Sequence, residues 1–378
     1  MKCVKAVVAL LWLMCAFAAP AVAEVTDTEI ILEQQRQAGG SYLLEEALPK
    51  ETAEALEEAG ITQQGMEQGI SVSYESITDL LTETAKESST APIAACAVTA
   101  GLVVLCALIE GLRSSFADSK LAAPAAAAAT IAICTAAAAP VAMHIADAGR
   151  TMEGMCGFGA VFVPVFAAAC AAGGHPLAAS GYNAFMLGLN SGINVVISQA
   201  VLPLLRIFLA ISTASALSPT LRLEGLTEFI EKRVKWLLGL LAMLFTGFLG
   251  VTSAVSAAAD KASGKALKFL VSGTVPVIGG AISDALASVQ GCLSVMRASV
   301  GGFGIIAIAF ICLPPLIRTV IWLLGMELCR MLADMLEVKS ASRLLRAVTA
   351  SLEVMLSLLL FCAAVLIVSS AILLGSVG

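Results

Sequence analysis

The sequence predicts an all-α polytopic membrane protein of six to eight transmembrane helices arranged as two tandem parallel repeats. Three observations lead there. Of 378 residues, 59% are hydrophobic and only 13% charged, with a mean hydropathy of +0.93. Soluble domains carry about 45–50% apolar and 25% charged residues. The apolar surplus is divided among several runs, each near the ~20 residues a helix needs to cross ~30 Å of hydrocarbon. Finally, the chain echoes itself. An ungapped offset of 112 positions sets Val163-Pro164-Val165 on Val275-Pro276-Val277, Gly192-Ile193 on Gly304-Ile305, and Pro203-Leu204-Leu205-Arg206 on Pro315-Leu316-Ile317-Arg318. Aliphatic matches mean little in an Ala/Leu-rich chain, but two prolines and an arginine in one register indicate a duplication of residues 157–258 and 269–370.

In chain order, Lys2 and Lys5 precede an apolar run from Ala6 to Ala19, and Ala21-Val22-Ala23 follows. A charged start, a short apolar core and an Ala-x-Ala end make residues 1–23 a secretory signal. The mature chain is then expected to begin at Glu24, outside the cytoplasm; an uncleaved first helix would leave the later orientation unchanged. Residues 24–90 are an acidic extracytoplasmic arm, with Glu45, Glu46, Glu51, Glu54, Glu57 and Glu58, too small and polar for a large core. Short amphipathic helices are expected from Leu48-Pro49-Lys50 to near Gly60 and from Ser73 to Glu87, with Leu43, Leu44, Leu48, Ala55 and Leu56 on one stripe. Residues 91–156 hold the first transmembrane pair, Ala91–Ile109 and Leu121–Met143. A short charged turn joins the two, and a charged loop bearing His144, Asp147, Arg150 and Glu153 follows.

Each repeat opens on an apolar segment that makes a poor plain spanning helix. In Lys268–Val289, the residues Gly273, Pro276, Gly279, Gly280 and Asp284 interrupt the apolar run. In the first copy Pro164 and the Gly173-Gly174-His175-Pro176 break do the same. Non-helical backbone at membrane depth needs protein cover, so these stretches read as Pro/Gly-broken re-entrant hairpins. The alternative is an amphipathic helix at the surface or packed among others. Gly192–Leu217 and Gly301–Gly325 then cross, kinked at Pro203 and at Pro314-Pro315. A basic segment follows each, 219–235 and 327–347, and a long apolar helix begins at Trp236 or Val348. Repeat 1 thus fills 157–258, and repeat 2 with its C-terminal helix 269–378. Basic segments belong on the cytoplasmic side. Six spans plus two hairpins satisfy this; eight spans do so only if the two copies fold differently.

Arg206 and Arg318 are the most informative single residues. Each lies within an apolar run, three residues after a proline, at matching repeat positions. A charge at that depth costs about 2.5–3.5 kcal/mol on insertion scales, so it faces protein or water, or snorkels. The functional reading is an intramembrane polar pathway, with Asp284 and Glu353 as counter-charges; the bland one is a guanidinium bonding carbonyls freed by the prolines. No Gly-x-Ser-x-Gly, Walker loop, His-Glu-x-x-His or dinucleotide fingerprint occurs, so no enzyme and no cofactor are expected. His144 and Asp147 lack further ligands nearby, so no metal is expected either. The cysteines lie singly in apolar runs and read as buried small hydrophobes. A net charge of −6 without a basic stripe excludes nucleic acid.

A cleavable signal, an acidic arm, the stretch GTVPVIGGAISDALASVQG, LPPLIR after a Gly-rich helix and a long C-terminal helix resemble the stage III sporulation protein AE family. The resemblance runs from about residue 75 onward and is most specific at Pro276–Asp284 and Pro314–Arg318. It implies a component of the channel, or feeding tube, joining mother cell and forespore in endospore-forming bacteria. It further implies a place in the mother-cell membrane facing the forespore. The implied partners are the other stage III sporulation A-operon proteins, the forespore stage II sporulation protein Q and membrane lipid, with a homo-oligomer compatible. No catalytic residue is carried over. Two other readings compete: a stand-alone secondary transporter or permease of a small solute, and a scaffold that conducts nothing.

Overall fold

The computed structural model describes residues 42–62, 74–115, 122–173, 175–217 and 279–377, with seven isolated helical positions between Lys232 and Gly247. The signal, the Pro276 stretch and almost all of the basic segment and span that close repeat 1 lie outside the described residues. Among the described residues there is no strand. Two short helices, α1 (Leu43–Glu46) and α2 (Lys50–Glu58), precede α3 (Tyr74–Ser115) and α4 (Ala122–Ala172). Next come α5 (Pro176–Val195), a π turn (Val196–Val201) and α6 (Leu202–Leu217). The chain closes with α7 (Gly279–Met335) and α8 (Lys339–Val377).

Five of these stretches are long and apolar enough to cross a membrane: Thr82–Gly111, Ala128–Ala172, Pro176–Thr213, Met296–Met335 and Lys339–Leu374. At 51 and 57 residues, α4 and α7 are about 75–85 Å long at ~1.5 Å per residue, so both extend beyond any bilayer they cross.

The charged loop expected at residues 144–153 is instead the middle of α4. Val141, Ile145, Ala148 and Met152 are buried there, spaced as one helical stripe, so packing carries the helix through the charges. The helix also continues through Pro164 in α4 and through Pro314 and Pro315 in α7. Pro176 opens α5 directly after a helix end, and Pro203 follows a π turn that ends two residues before it. An inserted residue there absorbs the ladder bond that the proline cannot make. At the 112-residue offset the turn at Gly173–His175 falls inside α7, so the described parts of the two repeats differ in helix connectivity.

The core is built on glycine–aromatic contacts. Phe158, Phe162 and Phe166, one turn apart on α4 and fully buried, stack at 5.8 and 5.4 Å between centroids. Gly301 and Gly304 of α7 face them. A Cβ on Gly301 would stand 2.7 Å from Phe166 Cε2, and one on Gly304 would collide with the edge of the Phe162 ring. These contacts fix an antiparallel α4/α7 pair. Tyr182 of α5 meets Phe166 edge-on at 5.7 Å. Asn190 Nδ2 donates to the Cys156 carbonyl at 2.7 Å, a buried polar tie between α5 and α4. The acidic arm is docked onto this bundle: Leu44, Leu56 and Ile61 are buried, and α1 and α2 touch α4 and α7 respectively.

Two helix ends are closed in the same way. After α2, Gly60 (φ 69°) lets Ile61 N–H reach the Leu56 carbonyl at 2.8 Å and Gly60 N–H the Glu57 carbonyl at 2.9 Å. After α7, Glu337 takes that place with φ 56°, while Val338 N–H bonds the Ala333 carbonyl at 2.9 Å. Both are Schellman closures with the following residue buried. A glutamate in the left-handed region is held against its preference. Glu337→Gly is therefore expected to stabilise the α7/α8 hairpin by ~1 kcal/mol, read as a raised melting temperature in detergent.

Candidate functional site

The site is a polar level part-way along the bundle. Its centre is His144, 5% exposed. His144 Nε2 lies 2.9 Å from Thr319 Oγ1, and that hydroxyl lies 2.6 Å from the Pro315 carbonyl one turn earlier in α7. A carbonyl can only accept, so the single hydroxyl proton goes to Pro315 and Nε2–H must donate to Thr319. The neutral ring therefore leaves Nδ1 as a bare acceptor, and Nδ1 is buried without a partner among the described residues. Trp322 stacks on the ring at 6.3 Å. One satisfied nitrogen and one open lone pair suit the neutral imidazole to accept a hydrogen bond from a water or another donor.

Around this centre the helix registers bring three of the four sequence-predicted charges to one level. Arg318, exposed, precedes Thr319 and acts electrostatically on His144. Glu353, half-buried, comes opposite it in the antiparallel α7/α8 pair, since Cys312 Sγ meets the Leu359 carbonyl at 3.8 Å. Arg206, exposed, lies one turn past Leu202, which presses on Gly149 of α4. Asp284 is elsewhere: it lies near the start of α7, roughly 50 Å from Arg318 along the helix. Among the described residues neither Arg206 nor Arg318 forms an ion pair, and both point outward rather than into an internal channel. A polar path using them would run along the outside of this chain. Of the expected helix breaks, Pro203 and Pro315 border the level, Pro314 adjoins it, Pro164 is higher on α4, and Pro276 lies outside the described residues.

The sequence suggests a charged loop around His144 and gives no role to Thr319 or Trp322. The available signal was phase, because His144 falls on the stripe of Val141, Ile145 and Ala148. Asp147, which does face outward, is paired with Arg150 at 2.8 Å. A further missed residue, Arg297, is 7% exposed beside the end of α4, its Cδ 3.9 Å from a Cβ built on Gly173. It meets the carbonyl end of that helix, where positive charge is favoured. No group of three or more metal-ligating side chains occurs among the described residues.

Charge reversal tests the level directly. Arg318→Glu and Glu353→Arg are each expected to abolish function, and the double swap to restore it if the two act across the α7/α8 pair. A dead double swap would separate them.

Fold and site together define a membrane-type helical protein with a polar level inside a largely apolar bundle. The stage III sporulation protein AE family matches residues 59–377, and the chain belongs to that family. It is similar to stage III sporulation protein AE of Bacillus subtilis (strain 168), with 24% identity over 220 residues, 57% of this chain and 54% of the relative. The match thus spans about half the length of that relative. No solved structure matches the chain.

Proposed function

We propose that the protein is a non-enzymatic, multi-pass subunit of the channel complex that links mother cell and forespore, required for forespore development after engulfment and serving as its permease-like core. The observation that carries this reading is family membership over nearly all of the apolar bundle. The acidic arm, docked on the bundle by Leu44 and Leu56 yet displaying Glu54, Glu57 and Glu58, supports an extracytoplasmic N-terminal region available to partners. Those partners are the other A-operon proteins and the forespore stage II sporulation protein Q. The outward-facing arginines support a polar path shared between chains, either copies of this one or its partners, in the mother-cell membrane facing the forespore.

A stand-alone permease is the second reading, favoured by the π turn and Pro203 beside Arg206, because interrupted helices form substrate sites in transporters. The test is purification of the tagged chain from sporulating cells after engulfment, followed by reconstitution into proteoliposomes. Recovery with the operon partners, and no solute flux from the chain alone, is the expected result. Flux from the isolated chain would give the second reading the lead.

A further inference from the structure

The outer wall of the α3/α7 contact carries a feature that the polar level does not use. Cys96 of α3 is half-buried and Cys329 of α7 is buried. The Cys329 thiol donates to the Cys96 carbonyl at 3.4 Å. Gly325, one turn before Cys329, makes the approach possible, because a Cβ there would collide with Cys96 Sγ. In front of the pair lies an open apolar groove of about 510 Å³, walled by Pro92, Ile93, Ala100, Leu324, Leu328 and Leu332. That volume falls in the range of small-molecule sites, ~300–1,000 Å³. The other described cysteines are buried; Cys96 is the half-buried one, and it shares this groove wall with Cys329.

We propose that Cys96 and Cys329 form a dithiol modification site, which a small-molecule disulfide converts to an internal disulfide stapling α3 to α7. The reaction balances without a metal. The Cys96 thiolate attacks one sulfur of the small disulfide and expels one thiolate, leaving a mixed disulfide on Cys96. The Cys329 thiolate then attacks the Cys96 sulfur and expels the second. Two protein thiols and one small disulfide give one protein disulfide and two small thiols. Both thiols line the groove; Cys96, the less buried of the two, is the entry sulfur, and Cys329 resolves. The bond would close a loop across 233 positions, so its main effect is to restrict the unfolded chain. It also locks the helix that leads from the acidic arm to the helix that carries Arg318.

The experiment uses the full-length chain in detergent, treated with oxidised glutathione and then alkylated. Peptides are mapped by mass spectrometry without reduction. The expected product is a linked Cys96–Cys329 peptide, with a melting temperature raised by at least ~5 °C and restored by dithiothreitol. Cys96→Ser should lose both effects. Cys329→Ser should stop at the glutathione adduct of Cys96, which separates access from resolution. Gly325→Ala should cut the yield of linked peptide at least several-fold while Cys96 stays open to alkylation. Free alkylation of Cys96 with no linked peptide in the unsubstituted protein would overturn the proposal. So would linkage of Cys96 to a different cysteine.

Discussion

Gly304→Leu is expected to leave no folded bundle, and Gly304→Ala to lower stability by at least ~1–3 kcal/mol, the usual cost of overpacking a tight core. The reason is local. The Phe162 ring occupies the space a side chain at 304 would need, and stacked Phe158 and Phe166 hold that ring from both sides. The ring cannot step aside without moving the whole ladder. Phe162→Ala removes the obstacle but leaves a cavity, at about 3–5 kcal/mol. Joining Gly304→Ala to Phe162→Leu should recover part of both losses, because the two sites share one volume. Melting in detergent and protein level in membranes are the readouts. A Gly304→Ala protein as stable as the parent would show that α4 and α7 do not meet along this seam.

The second large effect is expected at the polar level, and it is asymmetric. Thr319→Val removes the acceptor of His144 Nε2–H and strands a buried donor, at about 1–3 kcal/mol. In His144→Leu, by contrast, Thr319 keeps its bond to the Pro315 carbonyl. The double variant should therefore cost less than the sum of the two singles. Function separates packing from chemistry. If the open Nδ1 is what the site needs, His144→Leu stays folded yet fails to support spores, and Thr319→Ser, which keeps the hydroxyl, supports them. Wild-type spore yield from His144→Leu would make the imidazole a packing residue.

How much of this was legible in the sequence depends on what each feature rests on. Class and helix content follow from composition and run length, and no tertiary knowledge is needed to see them. The α2 end at Gly60 could be read from its glycine. Glu337 could not, because the left-handed residue there is held by the burial of Val338 and not by its own preference. The run from His144 to Glu153 misled because four polar residues outweighed a stripe of buried ones, and burial decided the helix. Pro164, Pro314 and Pro315 lie inside continuous helices for a related reason: a long helix packed on several sides continues through positions that would break an exposed one.

Among the candidate charges, Arg206, Arg318 and Glu353 reach one level because three helix registers happen to align, and Asp284 does not because α7 is unbroken between them. Registers between helices are set by pairs such as Gly304–Phe162 and Cys96–Gly325, distant in sequence and individually unremarkable in it. The contact of α3 with the C-terminal third of α7, on which the thiol pair depends, is of that kind.

The measurement that most directly tests the central claim is an in-frame deletion in the organism that carries the protein, scored for heat-resistant spores and by microscopy. The account predicts forespores that complete engulfment, then stall and collapse, with spore yield restored by the intact gene. Normal heat-resistant spores, with a growth defect on some nutrient or ion instead, would contradict it and leave a transporter.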